Sequence, residues 1–277
     1  MTIDAALASN RPSPVVHRFG TALRAGWLGL LILGGPVLAQ TADSPQAPTE
    51  TQAEVQFSEA ENLLWMTDQL RAVTTPSVIT YSFVKDGSYE EGFEDSIEFT
   101  ISKVHADGMK AASIQFFTGQ RNFPVPAVDS TDVNPVLKVY FQGDVYEMNR
   151  LTDPDGKSKE RWRYFQRRIK FALAEAAKVT PTEIEFDGKK YEAKEIFFEP
   201  YVNDPKRAQF EKFATKRYTV VVADDLPGYV YEVRTEVPGE EGAGPLLRER
   251  LRIRSVAPFD PDSATPSRGA GIEQKSK

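Results

Sequence analysis

Apolar side chains recur along this chain in two rhythms, one of about 3.6 residues and one of two. Ser58-Glu-Ala-Glu61 has the capping-box pattern that satisfies free amides at a helix start. Leu63, Leu64, Met66 and Leu70 then follow at helical spacing until Thr74-Thr75-Pro76 stops the pattern, predicting a helix over Ser58–Val73. From Ser77 the period falls to two. Ile79, Tyr81 and Phe83 alternate with Thr80, Ser82 and Val84, which turns Tyr81 and Phe83 towards a core. Beyond an acidic, Gly-bearing turn, Ile97, Phe99 and Ile101 alternate with Glu98, Thr100 and Ser102, the pattern of a half-buried strand. Asp107-Gly108 predicts a hairpin, with Ala112, Ile114 and Phe116 on the returning strand.

The middle of the chain returns to the helical period. Asn134-Pro135 reads as an N-cap followed by proline at the first helical position. Leu137, Tyr140, Phe141, Val145, Met148 and Leu151 follow at three- and four-residue steps. Asp153-Pro-Asp155-Gly156 reads as a turn, since Lys157 and Tyr164 occupy positions where a calcium loop needs oxygen ligands. A second helix over Lys159–Val179 sets Trp162, Phe165, Ile169, Leu173 and Ala176 on one stripe. Strands resume at Thr182, where Ile184 and Phe186 alternate with glutamates, and Tyr191–Phe198 returns after Asp187-Gly188. Asp204-Pro205 opens a short amphipathic helix with Phe210 and Phe213. Tyr218–Val222 and Tyr229–Val237 form a further hairpin, and Arg248–Val256 is a last strand with Leu251 and Ile253 between arginines.

Helix, strands, a helix pair and then a meander make an α+β domain with an antiparallel sheet. The expected architecture is a curved, incomplete-barrel-like sheet covered by an N-terminal helix and a central helix pair. This order, over roughly residues 57–257, resembles the LolA-like periplasmic carrier fold. The resemblance rests on the elements around Ser58–Val73, Asn134–Val179 and Thr182–Val256 together with an export signal. It includes no residue motif and assigns no functional residue. It implies a concave, apolar sheet face covered by helices.

The export reading comes from the N-terminus. Arg11, Arg18 and Arg24 precede the uncharged run Ala25–Leu33, Gly34-Gly35-Pro36 interrupts it, and Val37-Leu38-Ala39 offers small residues before a cut. That is the order of a secretory signal peptide cleaved near Ala39, and an apolar run this short falls below a spanning helix. The expected organisation is a signal peptide over 1–39, a polar Pro-bearing leader over 40–56, one domain over 57–257 and a Pro/Gly tail over 258–277. The mature protein is expected in the periplasm or secreted, with no transmembrane span.

Composition then removes chemistries. The 277 residues contain no Cys and two His, with 17 Phe, 10 Tyr and 3 Trp to build a core. Thiolate metal sites, Cys nucleophiles and disulfides are excluded. His17 lies in the expected signal peptide, which leaves His105 beside a predicted turn, with no Gly-x-Ser-x-Gly elbow to accompany it. No phosphate-cradling glycine motif is present, so no cofactor is implied. A net charge of −6 argues against nucleic acid. Glu90-Glu91, Glu94-Asp95 and Asp224-Asp225 sit in predicted turns, which leaves a carboxylate-pair hydrolase as a third-placed reading.

Two features remain as candidate sites. Tyr81, Phe83, Ile97, Phe99, Ile101, Ile114 and Phe116 form one aromatic and aliphatic sheet face, which lines a ligand cavity if the sheet curls openly and is ordinary core if it closes on the helices. Arg161, Arg163, Arg167 and Arg168 flank the apolar stripe of the second central helix, as on a helix that lies against anionic lipid. The same stripe equally suits a helix packed on the sheet with its arginines solvated. The leading expectation is an exported, non-catalytic protein that binds an apolar, lipid-like ligand in the cell envelope. The alternative is a structural or assembly partner of envelope proteins with a filled core.

Overall fold

The computed structural model describes residues 56–153, 155–156 and 161–261. The expected signal peptide, nearly all of the leader and most of the tail lie outside these residues. The capping box forms as the sequence predicts: Ser58 Oγ accepts from the Glu61 amide at 3.1 Å, and the Glu61 carboxylate accepts from the Ser58 amide at 3.0 Å. Helix α1 (Glu59–Glu61) passes directly into one wide π turn, Asn62–Met66. The expected helix to Val73 ends there, because Thr67 is extended and the next amides are engaged elsewhere. Gln69 is buried, donates to the Leu64 carbonyl at 2.8 Å and accepts from the Asn134 amide at 2.9 Å, while the Leu70 amide donates to the Asp132 carbonyl.

Strands β1 (Ser77–Asp86), β2 (Phe93–Val104) and β3 (Lys110–Phe116) form the first meander, and two short strands, β4 (Phe123–Pro124) and β5 (Val128–Thr131), flank β3. Helices α2 (Pro135–Thr152) and α3 (Arg161–Glu175) follow. The second meander is β6 (Lys178–Phe186), β7 (Lys189–Phe198), β8 (Arg217–Val222), β9 (Val230–Val237) and β10 (Leu247–Pro258). All pairings are antiparallel in one open ten-stranded sheet of order β4-β3-β2-β1-β10-β9-β8-β7-β6, with β5 beside β3. The two meanders join through β1 and β10, the first and last long strands.

Local chemistry explains several of these joints. Asp187 and Gly188 both take positive φ, 51° and 71°, giving the two-residue turn whose twist matches that of β6 and β7. Asn134 caps α2 by accepting from the Val136 amide at 3.0 Å. Its side-chain amide also donates to Tyr81 Oη at 2.9 Å and to the Gly228 carbonyl at 2.7 Å, which fixes the helix to β1 and to the β8–β9 turn. Gly228 has φ +81°, and a Cβ there would lie 2.6 Å from Ile79 Cδ1, so a glycine lets this turn approach the sheet.

The core lies between one sheet face and the helices. The alternation in β1 through β3 buries Ile79, Tyr81, Phe83, Ile97, Phe99, Ile101, Ile114 and Phe116. From the other side come Leu137, Tyr140, Val145 and Met148 of α2 and Phe165, Ile169 and Leu173 of α3. The short amphipathic helix expected after Asp204 is two 3-10 turns, Arg207–Gln209 and Glu211–Thr215, with Phe210 and Phe213 buried as the sequence predicts.

Candidate functional site

An apolar concavity lies on the helical side of the molecule. It is a groove of about 460 Å³ walled by three elements. The segment around α1 supplies Phe57, Glu61, Trp65 and Met66. Helix α2 supplies Lys138, Phe141, Gln142 and Val145, four residues on one face at three-, one- and three-residue steps. Helix α3 supplies Gln166, Ile169, Lys170 and Leu173 at the same spacing. Val145, Ile169 and Leu173 are buried and form an aliphatic floor.

The rim is held open by local bonds. Ser58 Oγ donates to the Leu173 carbonyl at 2.9 Å, tying the start of α1 to the last turn of α3. The π turn gives α1 a wide final turn, and Trp65 meets Phe141 edge-on at 5.7 Å. Trp65 is nevertheless 37% exposed, Met66 58% and Phe57 46%. Three large apolar side chains therefore face water around one opening, an arrangement that marks a binding surface. Polar groups are few: Lys138 and Lys170 have no acidic partner among the described residues, and Gln142 Nε2 is buried without an acceptor. Glu61 is occupied by the capping box.

The seven strand residues expected to line a cavity lie on the buried face of the sheet. Tyr81, Phe83, Ile97, Phe99, Ile101, Ile114 and Phe116 do share one face, and each is at most 6% exposed. None of them lines the groove or another of the larger surface concavities described here. The groove residues were visible in the sequence only as helix-face positions, because sequence does not show which apolar faces are left partly uncovered.

The four arginines also separate. Arg161 donates to the Thr152 carbonyl at 2.5 Å and stacks on Phe210, and Arg168 pairs with buried Asp204 at 2.6 Å. Both are engaged within the fold. Arg163 and Arg167 are exposed on the outward side of α3. Asp204 also accepts from Tyr164 Oη, and burial together with that carboxylate pushes the Tyr164 phenol up to about 12.

Beneath α2 runs a polar layer that the periodicity does not disclose. Asp144, on the buried side of α2, pairs with Lys216, and Tyr218 Oη donates to its other oxygen at 2.8 Å. Tyr201 and Tyr218 hydroxyls lie 3.2 Å apart, and burial holds both phenols well above their ordinary range. Tyr140 Oη donates towards Thr235 and Glu249, and Lys85 bridges Glu90 and Glu147 at 2.6 Å each, 3.8 Å from Glu249. Despite its burial, Glu147 is held down to about 2 by hydrogen bonds from Arg150 and Lys85. Glu249 moves the other way: burial raises it, and Lys216 and Lys85 offset that only in part.

The signs follow from proton linkage. Glu147 adds stability above pH 4.5 that is lost as the pH falls towards 2, whereas Glu249 costs stability as the pH climbs above 4.5. Glu249→Gln removes the second effect alone. Its stability relative to the parent is expected to increase between pH 5 and pH 8, read by denaturant unfolding at both values; a difference independent of pH would show that Glu249 does not titrate in this way.

Among the described residues no group of three His, Cys, Asp or Glu side chains is placed to hold a metal ion. His105 lies half-buried at the β2–β3 turn and its Nε2 sits 2.8 Å from the Asp129 carbonyl. Of the acidic pairs in turns, Glu90 is bound by Lys85 and Arg150, Asp95 accepts from Thr118, and Asp224 pairs with Arg71. No helix among the described residues is long and apolar enough to cross a membrane.

No protein-family model matches this chain, and no curated protein matches it. Solved structures similar to it include the lipoprotein LppX of Mycobacterium tuberculosis, at 11% identity over 73% of this chain and 99% of that one, with a TM-score of 0.30. A LolA superfamily protein of Nitrosomonas europaea is similar at 9% identity over 74% and 96% of the two chains, with a TM-score of 0.21. LprF of Mycobacterium bovis is similar at 9% identity over 74% and 96%, with a TM-score of 0.28. The superposition is loose in each case, and the chemistry of the groove has to be read from its own residues.

Proposed function

We propose that this protein is a non-catalytic binder of an apolar, lipid-like ligand, acting in the cell envelope after export, and that the ligand lies in the groove between α1, α2 and α3. One observation carries the reading: Phe57, Trp65 and Met66 stay exposed to water beside an aliphatic floor in a groove of about 460 Å³. Each methylene that leaves water for such a wall contributes about 0.8 kcal/mol. Lys138, Lys170 and the unsatisfied Gln142 amide offer donors to a polar head at the rim.

The test is a titration with cis-parinaric acid, whose polyene fluoresces when it leaves water. The parent protein is expected to bind it and to quench Trp65. Met66→Glu alters an exposed wall residue and leaves the core untouched, so the folded variant is expected to bind at least tenfold more weakly, since a charge on an apolar wall is costly to bury. Equal binding by parent and variant, or none by the parent, would overturn the assignment.

The burial of Tyr81, Ile97 and Phe99 supports the second reading, a structural partner of envelope proteins. It places a protein segment in the groove. Organic extraction of the purified chain separates the two: a discrete lipid supports the first, and a stoichiometric co-purifying protein with no lipid supports the second.

A further inference from the structure

The outward face of α3 belongs neither to the core nor to the groove floor. Helix α3 reads RWRYFQRRIKFALAE, five cations and one acid, within a chain of net charge −6. Arg161 and Arg168 turn inward to Thr152 and Asp204, whereas Arg163, Arg167 and Lys170 are exposed. Steps of four and three residues place these three on one stripe about 10 Å long. Lys170 also forms one lip of the groove, so the stripe runs along its mouth.

Apolar side chains flank the stripe on both sides. Phe171 is 51% exposed, and Trp162 lies under the Arg163 guanidinium at 5.2 Å and against exposed Tyr146 at 5.5 Å. Across the mouth stand Phe57, Trp65 and Met66, with Lys138 of α2 beside them. Among the described acids, Glu61 is held in the capping box, Asp204 faces Arg168, and Glu175 lies exposed at the far end of the helix. Cations and exposed aromatics on one face suit the boundary of an anionic bilayer, where charges meet headgroups and rings enter below them. A folded protein partner would instead be expected to meet a less charged surface.

We propose that the outward face of α3 docks the protein on an anionic bilayer, with Arg163, Arg167 and Lys170 against the headgroups and the mouth of the groove towards the membrane. The docking does not depend on what fills the groove. Each exposed cation near an anionic surface contributes about fivefold in partitioning, so removing two is worth roughly 30-fold.

The experiment is flotation of the purified full chain with vesicles of phosphatidylcholine alone and with about 30 mol% phosphatidylglycerol. The quantity read is the ratio of partition coefficients, anionic over neutral, from which charge-independent contributions cancel. The parent is expected to favour anionic vesicles, less so in about 0.5 M salt. Arg163→Gln/Arg167→Gln is expected to lower the ratio by roughly 30-fold, with its circular dichroism and cis-parinaric acid binding unchanged. A parent ratio near one, or a double variant that keeps the parent's ratio, would overturn the proposal.

Discussion

Asp144→Ala is expected to destabilise the protein by about 3–5 kcal/mol and to lower its melting temperature by about 10–15 °C. Lys216 is 1% exposed, and Asp144 is its ion-pair partner. Removing the carboxylate leaves an ammonium in the interior without its counter-charge, and the Tyr218 hydroxyl loses its acceptor as well. The damage comes from the charge left behind, which a second substitution can show. Asp144→Leu/Lys216→Met exchanges the pair for apolar groups and is expected to recover much of the loss, because buried ion pairs are close to neutral against well-packed hydrophobic replacements. Thermal and denaturant unfolding of the single and double variants checks both statements. A single variant within about 1 kcal/mol of the parent would mean that Lys216 finds another partner, and the polar layer would then be looser than its geometry.

Phe99→Asp is expected to prevent folding altogether. Phe99 is fully buried on β2, opposite Ile79 of β1 and Ile114 of β3. Truncating a buried Phe costs about 3–5 kcal/mol, and a carboxylate with no partner in that place adds several more, which together approach the whole stability of a domain. Expression of the variant with circular dichroism and limited proteolysis is the measurement. A soluble, cooperatively unfolding Phe99→Asp protein would reveal open space in front of β2 and would favour the strand face as a ligand surface. The contrast with Met66→Glu is informative: both place an acid on an apolar wall, but only one of the walls faces water.

That contrast also shows what could be read from the residues. Period-two alternation at Ile97, Phe99 and Ile101 gave the strand and the face it buries, because a one-sided sheet imprints burial directly on sequence. The cap at Asn134 and the turn at Asp187-Gly188 were legible because each depends on local chemistry. The helix after Ser58 was over-extended, since its end is set by the bonds of Gln69 and Leu70 to residues more than sixty positions away. The same limit applied to the groove. Three helix faces each show an ordinary apolar stripe, and the gap between them depends on how the helices are spaced. Asp144 and Glu249 were hidden for a related reason, a polar residue inside an apolar periodicity being interpretable only beside Lys216 and Lys85.

The pairing at the centre of the sheet has a consequence for how the molecule comes into being. β1 and β10 are adjacent from Ser77 opposite Pro258 to Asp86 opposite Arg248. Each meander can zip from its own hairpins, but the seam between them is made of residues from opposite ends of the domain. Neither half-sheet can close on the other until the last strand has left the ribosome, and pairings this distant in sequence are slow to form. A chain stopped before residue 247 would hold two incomplete sheets with bare edges where the seam should be, exposing aggregation-prone backbone. Synthesis of this domain therefore ends with its keystone, and until that final strand arrives the sheet stays open at its seam.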